Sequence, residues 1–177
     1  PAPQATVSGG AQIVAYPTPP SEIRKEFKGL HDLNPDLIGR LYIPTDTEHS
    51  PIDQFVLKRD NEYYLTHDFY GEKRKSGAVF MDEANEIWPQ DQHMILYGHN
   101  MKNGTMFGEL KNYTDSSFCA DHPTIEFQTA DGLFCYTVSE VKITDTSDKW
   151  YEDIGGKLFE DKRRLVLSTC YGGGSGR

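Results

Sequence analysis

Leu165-Val166-Leu167-Ser168-Thr169-Cys170 is the stretch on which the reading of this chain turns. Three consecutive aliphatic residues are what a strand buried on both faces requires, and the run passes at once into Tyr171-Gly172-Gly173-Gly174. A thiol at the mouth of a rigid strand, beside a glycine loop, is held firmly yet open, and only an accessible thiolate attacks a carbonyl. Upstream, Ile95-Leu96-Tyr97-Gly98-His99-Asn100 repeats the arrangement: a buried strand runs out into a glycine, with a histidine just past it. An imidazole there can exchange a proton near neutral pH. Arg177, seven positions after Cys170, is able to return to the thiol and offer fixed donors to a developing oxyanion. Taken singly, each has an ordinary alternative: a buried strand-end cysteine, a hydrogen-bonded loop histidine, a solvated arginine. Their joint order carries more weight than any one of them.

Outward from these two stretches the chain reads as short strands: Ile38–Ile43, Gln54–Leu57, Ala78–Met81, His93–Tyr97, Thr124–Gln128, Leu133–Ile143 and Arg164–Thr169. Turn-rich stretches such as Pro44–Ser50, Gly71–Gly77 and Ala130–Gly132 divide them. Along Leu133–Val141, Phe134, Tyr136 and Val138 fall on one face and Cys135, Thr137 and Ser139 on the other. A helix is predicted over Ser21–Leu33 from Ile23, Phe27 and Leu30, opened by Pro19-Pro20 and stopped by Asn34-Pro35. Two short helical pieces follow, Thr105–Tyr113 and about Lys149–Phe159. Residues 1–20 hold five prolines, no charge and no period, which predicts a flexible N-terminal arm ahead of a domain over 21–177. The fold class expected is mainly β with peripheral helices, a closed or nearly closed β-barrel.

With 177 residues the chain suits one domain, and 12% aromatic residues argue against disorder. Twenty-seven acidic against 18 basic residues give a net charge of −9, which disfavours a nucleic-acid surface. The longest apolar runs, Met94–Tyr97 and Leu165–Leu167, fall far short of the roughly 20 residues that span a bilayer. Of the three cysteines, Cys119 and Cys135 sit in apolar settings and read as small buried hydrophobes. A disulfide between them is a matter of geometry. No C-x-x-C occurs, and Cys119 with His122 lacks further ligands, so no metal site is expected. Asp82, Glu83 and Glu86 read as a solvated surface run rather than a calcium site.

The segment Leu167–Cys170 resembles the sortase signature T-L-x-T-C, with Val166 in place of its first threonine. Asp60–Glu83, Ile95–Tyr113, His122–Phe127 and the helix leading into Leu33–Pro44 are similar to class B members, in the right order. The resemblance implies a sortase-type eight-stranded barrel with an N-terminal helix, the last strand beginning at the arginine and lying beyond this sequence. It implies a cysteine transpeptidase that cuts an N-P-x-T-type sorting signal after its threonine. The acyl group then forms a thioester with the enzyme and passes to an amine of peptidoglycan or its lipid-linked precursor. Carried over residue by residue, Cys170 is the nucleophile, His99 the general acid/base and Arg177 the stabiliser of the transition state. Asn61, Leu65, Tyr97, Ser168 and Thr169 line the substrate groove, with Trp150 and Tyr151 in a connection that faces substrate. The resemblance further implies a monomer without cofactor or nucleic-acid partner, acting on surface proteins that bear the signal. Its place would be the outer face of the plasma membrane, anchored by an N-terminal transmembrane segment absent from this chain.

A pilin-polymerising sortase and a non-catalytic binding module on the same barrel are the alternatives. Papain-like peptidases run Cys before His with the thiol at a helix start, the reverse of this chain. L,D-transpeptidases share the order His, Cys, Arg but resemble S-x-G-C with arginine two residues after the thiol, unlike Ser168-Thr169-Cys170 and Arg177.

Overall fold

Alternation of buried and open positions builds the barrel wall. In β2 (Leu37–Ile43) the odd-numbered residues are buried and the even ones half-buried, and β6 (Thr124–Thr129) buries Ile125, Phe127 and Thr129. The side-chain period of two sends one set into the core and the other outward. β7 (Gly132–Thr144) keeps this pattern through Phe134 and Tyr136, then runs on with mostly open positions. β5 (His93–Tyr97) and β8 (Arg164–Cys170) differ: His93–Leu96 and Leu165–Thr169 are buried without interruption. Both faces of these strands are covered, as their unbroken aliphatic runs require.

The computed structural model describes residues 4–14, 25–87, 90–130, 132–144 and 163–170. With β1 (Gln4–Val14), β3 (Ile52–Leu57) and β4 (Val79–Met81), the strands close in the order β1-β7-β6-β2-β3-β4-β5-β8. All neighbours are antiparallel except β3 with β4 and β5 with β8. Leu41, Val56, Met81, Met94, Leu96, Phe127, Leu165 and Leu167 fill the interior. A second cluster, Phe27, Leu37, Leu57, Tyr64, Ala78 and Phe80, lies under helix α1 (Lys25–Leu33).

The barrel is mainly β with few helices, as the sequence predicts, but residues 4–14 correct the expectation of an arm. They form β1, which lies between β7 and β8 and pairs Gln4 with both Thr144 and Cys170. Among the described residues, this strand closes the barrel. Its polar and glycine residues show no alternation, and the register shifts between Ser8 and Gly9. Two flanking strands supply its hydrogen-bond partners, and such tertiary pairing overrides weak intrinsic preference.

The predicted helix over Ser21–Leu33 is described from Lys25, and the piece at Thr105–Tyr113 is a 3-10 helix over Gly108–Thr114. The sequence reading did not foresee α2 (Ser116–Asp121), whose Asp115 cap accepts a hydrogen bond from the Ser117 amide. Cys119 and Cys135 are half-buried and free, so no disulfide joins them. Burial pushes the Cys135 thiol pKa up, helped by Glu126. The helical piece expected at Lys149–Phe159 lies outside the described residues. Among the described residues no helix is long and apolar enough to cross a membrane.

Candidate active site

Parallel neighbours emerge at the same end of a barrel, and β5 and β8 are parallel neighbours in continuous register, Met94 opposite Leu165 through Tyr97 opposite Ser168. One step further along each strand, Gly98 donates its N–H to the Ser168 carbonyl at 3.2 Å. Thr169 Oγ1 donates to the Gly98 carbonyl at 2.7 Å, and Asn100 Nδ2 to the Cys170 carbonyl at 2.8 Å. Residues 71 and 70 apart in the chain are thus stitched together, and His99 and Cys170 face one cleft of about 230 Å³.

Gly98 is required by its neighbour. A Cβ there would stand 2.8 Å from the ring of Phe107, a core residue whose N–H donates to the His99 carbonyl. The aromatic ring thus sets the backbone that carries the histidine.

Cys170 is exposed at the end of β8, whereas the two residues before it are buried. The His99 ring is half-buried, and its Nε2 lies 2.7 Å from the Leu65 carbonyl. A carbonyl only accepts, so Nε2 donates and Nδ1 is left for proton exchange. Leu65 closes the 3-10 turn Tyr63–Leu65 and stands 40% exposed at the rim.

Asn61, Tyr97, Ser168 and Thr169 also border the cleft, so the seven described candidates of the sequence reading surround one space. Arg177, Trp150 and Tyr151 lie outside the described residues. Ser168 is 2% exposed, and its hydroxyl has no hydrogen-bond partner among the described residues. A buried unpaired hydroxyl is costly, which suits a position where a ligand group completes the bonding.

The sequence reading missed Phe80, whose ring lies 5.4 Å from that of Tyr97 and lines the cleft, and Asn100, which holds the Cys170 backbone. Asn100 directly follows the histidine, and that adjacency was the available signal. The acidic run needs correction at one position: Glu83 and Glu86 are exposed, but Asp82 is 3% exposed. Asp82 Oδ2 accepts from the Tyr97 hydroxyl at 2.8 Å and from Asn61 Nδ2 at 3.2 Å. Burial, reinforced by Asp82, drives the Tyr97 phenol pKa far above its ordinary value. No group of three or more His, Cys, Asp or Glu among the described residues could hold a metal.

A Sortase domain family model matches residues 48–177. Sortase B of Listeria monocytogenes is 40% identical over 131 residues, 73% of this chain and 51% of that protein. Sortase B of Staphylococcus aureus is 31% identical over 154 residues, 83% of this chain and 62% of that protein. A Staphylococcus aureus sortase B–substrate complex superposes with a TM-score of 0.72 at 28% identity, covering 89% of this chain and 82% of that one. Sortase B from Bacillus anthracis gives 0.68 at 28% identity, covering 90% and 84%. The chain belongs to the sortase family and, by these relatives, to its class B. It spans between half and two thirds of the length of the curated relatives it matches.

Proposed function

We propose that this chain is the catalytic domain of a cysteine transpeptidase that cuts an N-P-x-T-type sorting signal after its threonine and joins the new carboxyl end to an amine of peptidoglycan. The observation that carries the reading is the parallel pairing of β5 with β8, which brings His99 to an exposed Cys170 across one cleft. Class B membership and the substrate-bound relative support the same reading.

In the first half-reaction the Cys170 thiolate attacks the threonine carbonyl carbon, forming the C–S bond. As the C–N bond breaks, the leaving amine takes its proton from the His99 imidazolium. Arg177 is the proposed partner of the oxyanion, a role for which a fork of fixed donors suits. In the second half the acceptor amine gives a proton to His99 and forms the new C–N bond, and the thiolate departs. Transfer prevails over hydrolysis when the amine is better placed than water at the thioester. Asn61, Leu65, Tyr97, Ser168 and Thr169, with Trp150 and Tyr151, would hold the signal. The partners are surface proteins carrying that signal. The enzyme would act as a monomer without a cofactor at the outer face of the membrane, tethered by an N-terminal segment.

The test is mass spectrometry of the protein incubated with an N-P-x-T peptide, with and without an amine acceptor. A thioacyl adduct on Cys170 and an amine-capped peptide are expected. No adduct, or an adduct on Cys119 or Cys135, would overturn the proposal.

A further inference from the structure

We propose that Asp82, which does not itself border the cleft, is a positioning residue that sets the hydrogen-bonding polarity of the substrate groove through Tyr97 and Asn61. This rests on the reading of that cleft as the peptide site. Asp82 is itself firmly placed. Its N–H donates to the Ile95 carbonyl at 2.9 Å, its carbonyl accepts from the Asn85 N–H at 3.1 Å, and its Oδ1 accepts from the Ala84 N–H at 2.9 Å. That leaves Oδ2 for the two groove residues, and it meets both.

The polarity follows from which atoms are already committed. The Glu83 N–H can only donate, and it points at Asn61 Oδ1 at 2.9 Å, so the amide orientation is determined and Nδ2 faces Asp82. One Nδ2 hydrogen goes to the carboxylate and the other remains to be offered. The Tyr97 hydroxyl gives its single proton to the same carboxylate, so towards the groove the phenol oxygen can only accept. Asn61 and Tyr97 together therefore present an N–H beside an acceptor oxygen. An amide group carries the complementary pair, a carbonyl and an N–H, whereas a carboxylate has no proton for the phenol. The groove is thereby built to take an amide and to refuse an acid of the same shape, since a site with a committed polar group rejects an analogue that leaves it unpaired.

Asp82→Asn tests this with almost no change of volume. The Ala84 N–H keeps an oxygen facing it, so the new NH2 would face Tyr97 and Asn61. Tyr97 must then turn its proton outward, and Asn61 meets a donor. Steady-state kinetics with the N-P-x-T peptide should show KM raised about tenfold or more and kcat changed by less than about threefold, because binding remote from the reacting carbonyl is lost equally from ground and transition states. Adding Tyr97→Phe to Asp82→Asn should cost less than the sum of the two single changes, since part of the effect of Asp82 runs through that phenol. In the wild type, the Tyr97 hydroxyl proton should exchange slowly enough to give a resolved NMR resonance, a readout independent of whether the variant folds. An unchanged KM in a folded Asp82→Asn protein, or a hydroxyl that exchanges like free tyrosine, would overturn the role of Asp82. A wild-type protein that forms no adduct would instead overturn the peptide-site reading, so the two failures are distinct.

Discussion

The two walls of the cleft are built differently. On one, Tyr97–His99 and Ser168–Cys170 lie at the end of the backbone ladder of β5 and β8, in which His93–Leu96 and Leu165–Thr169 are buried. On the other, the turn carrying Asn61 and Leu65 meets its neighbours at the cleft through side-chain bonds: Asn61 pairs with Asp82 and with the Glu83 N–H, and the Leu65 carbonyl accepts from His99. A ladder in register spreads its cost over many bonds, whereas a single side-chain bond is lost with one substitution. On the proposed reading, the strand wall carries the reacting groups, and Asn61 and Leu65 on the turn wall act on binding alone.

The largest expected effect comes from the strand wall. Cys170→Ala removes the proposed nucleophile at an exposed position, so adduct formation and peptide cleavage should disappear while the melting temperature stays near that of the wild type. Cleavage at a comparable rate would break the contrast outright. His99→Ala should lower kcat/KM by roughly 10²–10⁴-fold, the usual worth of a placed acid/base. A loss of only a few-fold would assign proton transfer to another group.

Gly98→Ala should act through packing. Its Cβ would press on the Phe107 ring, and overpacking of this kind costs about 1–3 kcal/mol. Denaturant unfolding should show that loss together with a fall in kcat, because the backbone leading to His99 has to shift. On the opposite wall, Asn61→Ala should raise KM by roughly 5–10-fold with little change in kcat, the cost of one hydrogen-bonding group. If kcat fell instead, the turn wall would be part of the chemistry and the contrast would fail.

The smallest effect is on stability at high pH. Burial raises the phenol pKa of Tyr64, Tyr97, Tyr113 and Tyr136 above the unfolded value. Groups that bind protons more tightly when folded stabilise fully below their unfolded pKa, so stability should hold up to about pH 10 and fall as pH rises further. Urea midpoints measured across that range check it, and Tyr97→Phe should make the decline shallower.

Much of the strand wall was legible along the chain. Continuous aliphatic runs mark β5 and β8 as buried on both faces, and Gly98 and Cys170 mark where each strand stops being covered. The turn wall was legible only through resemblance, since nothing in Asp60–Leu65 signals a groove by period or spacing. Asp82 was misread because acidic neighbours usually share one solvated surface. Its aspartate turns inward at the end of β4, where two donors and a backbone amide satisfy it. β1 was misread because a strand held by pairing on both edges needs no hydrophobic alternation of its own.

By itself the sequence determined that the chain is a β-rich domain with a histidine and a cysteine each set just beyond a buried strand. These are local properties, written in hydrophobic period and in the residues that interrupt it. Only the tertiary structure decided that the two strands are parallel neighbours, that β1 closes the barrel, and that one buried carboxylate grips both groove residues. Such facts depend on contacts between residues far apart in the chain, where strand order and the pairing of buried polar atoms, rather than local preference, determine the energy.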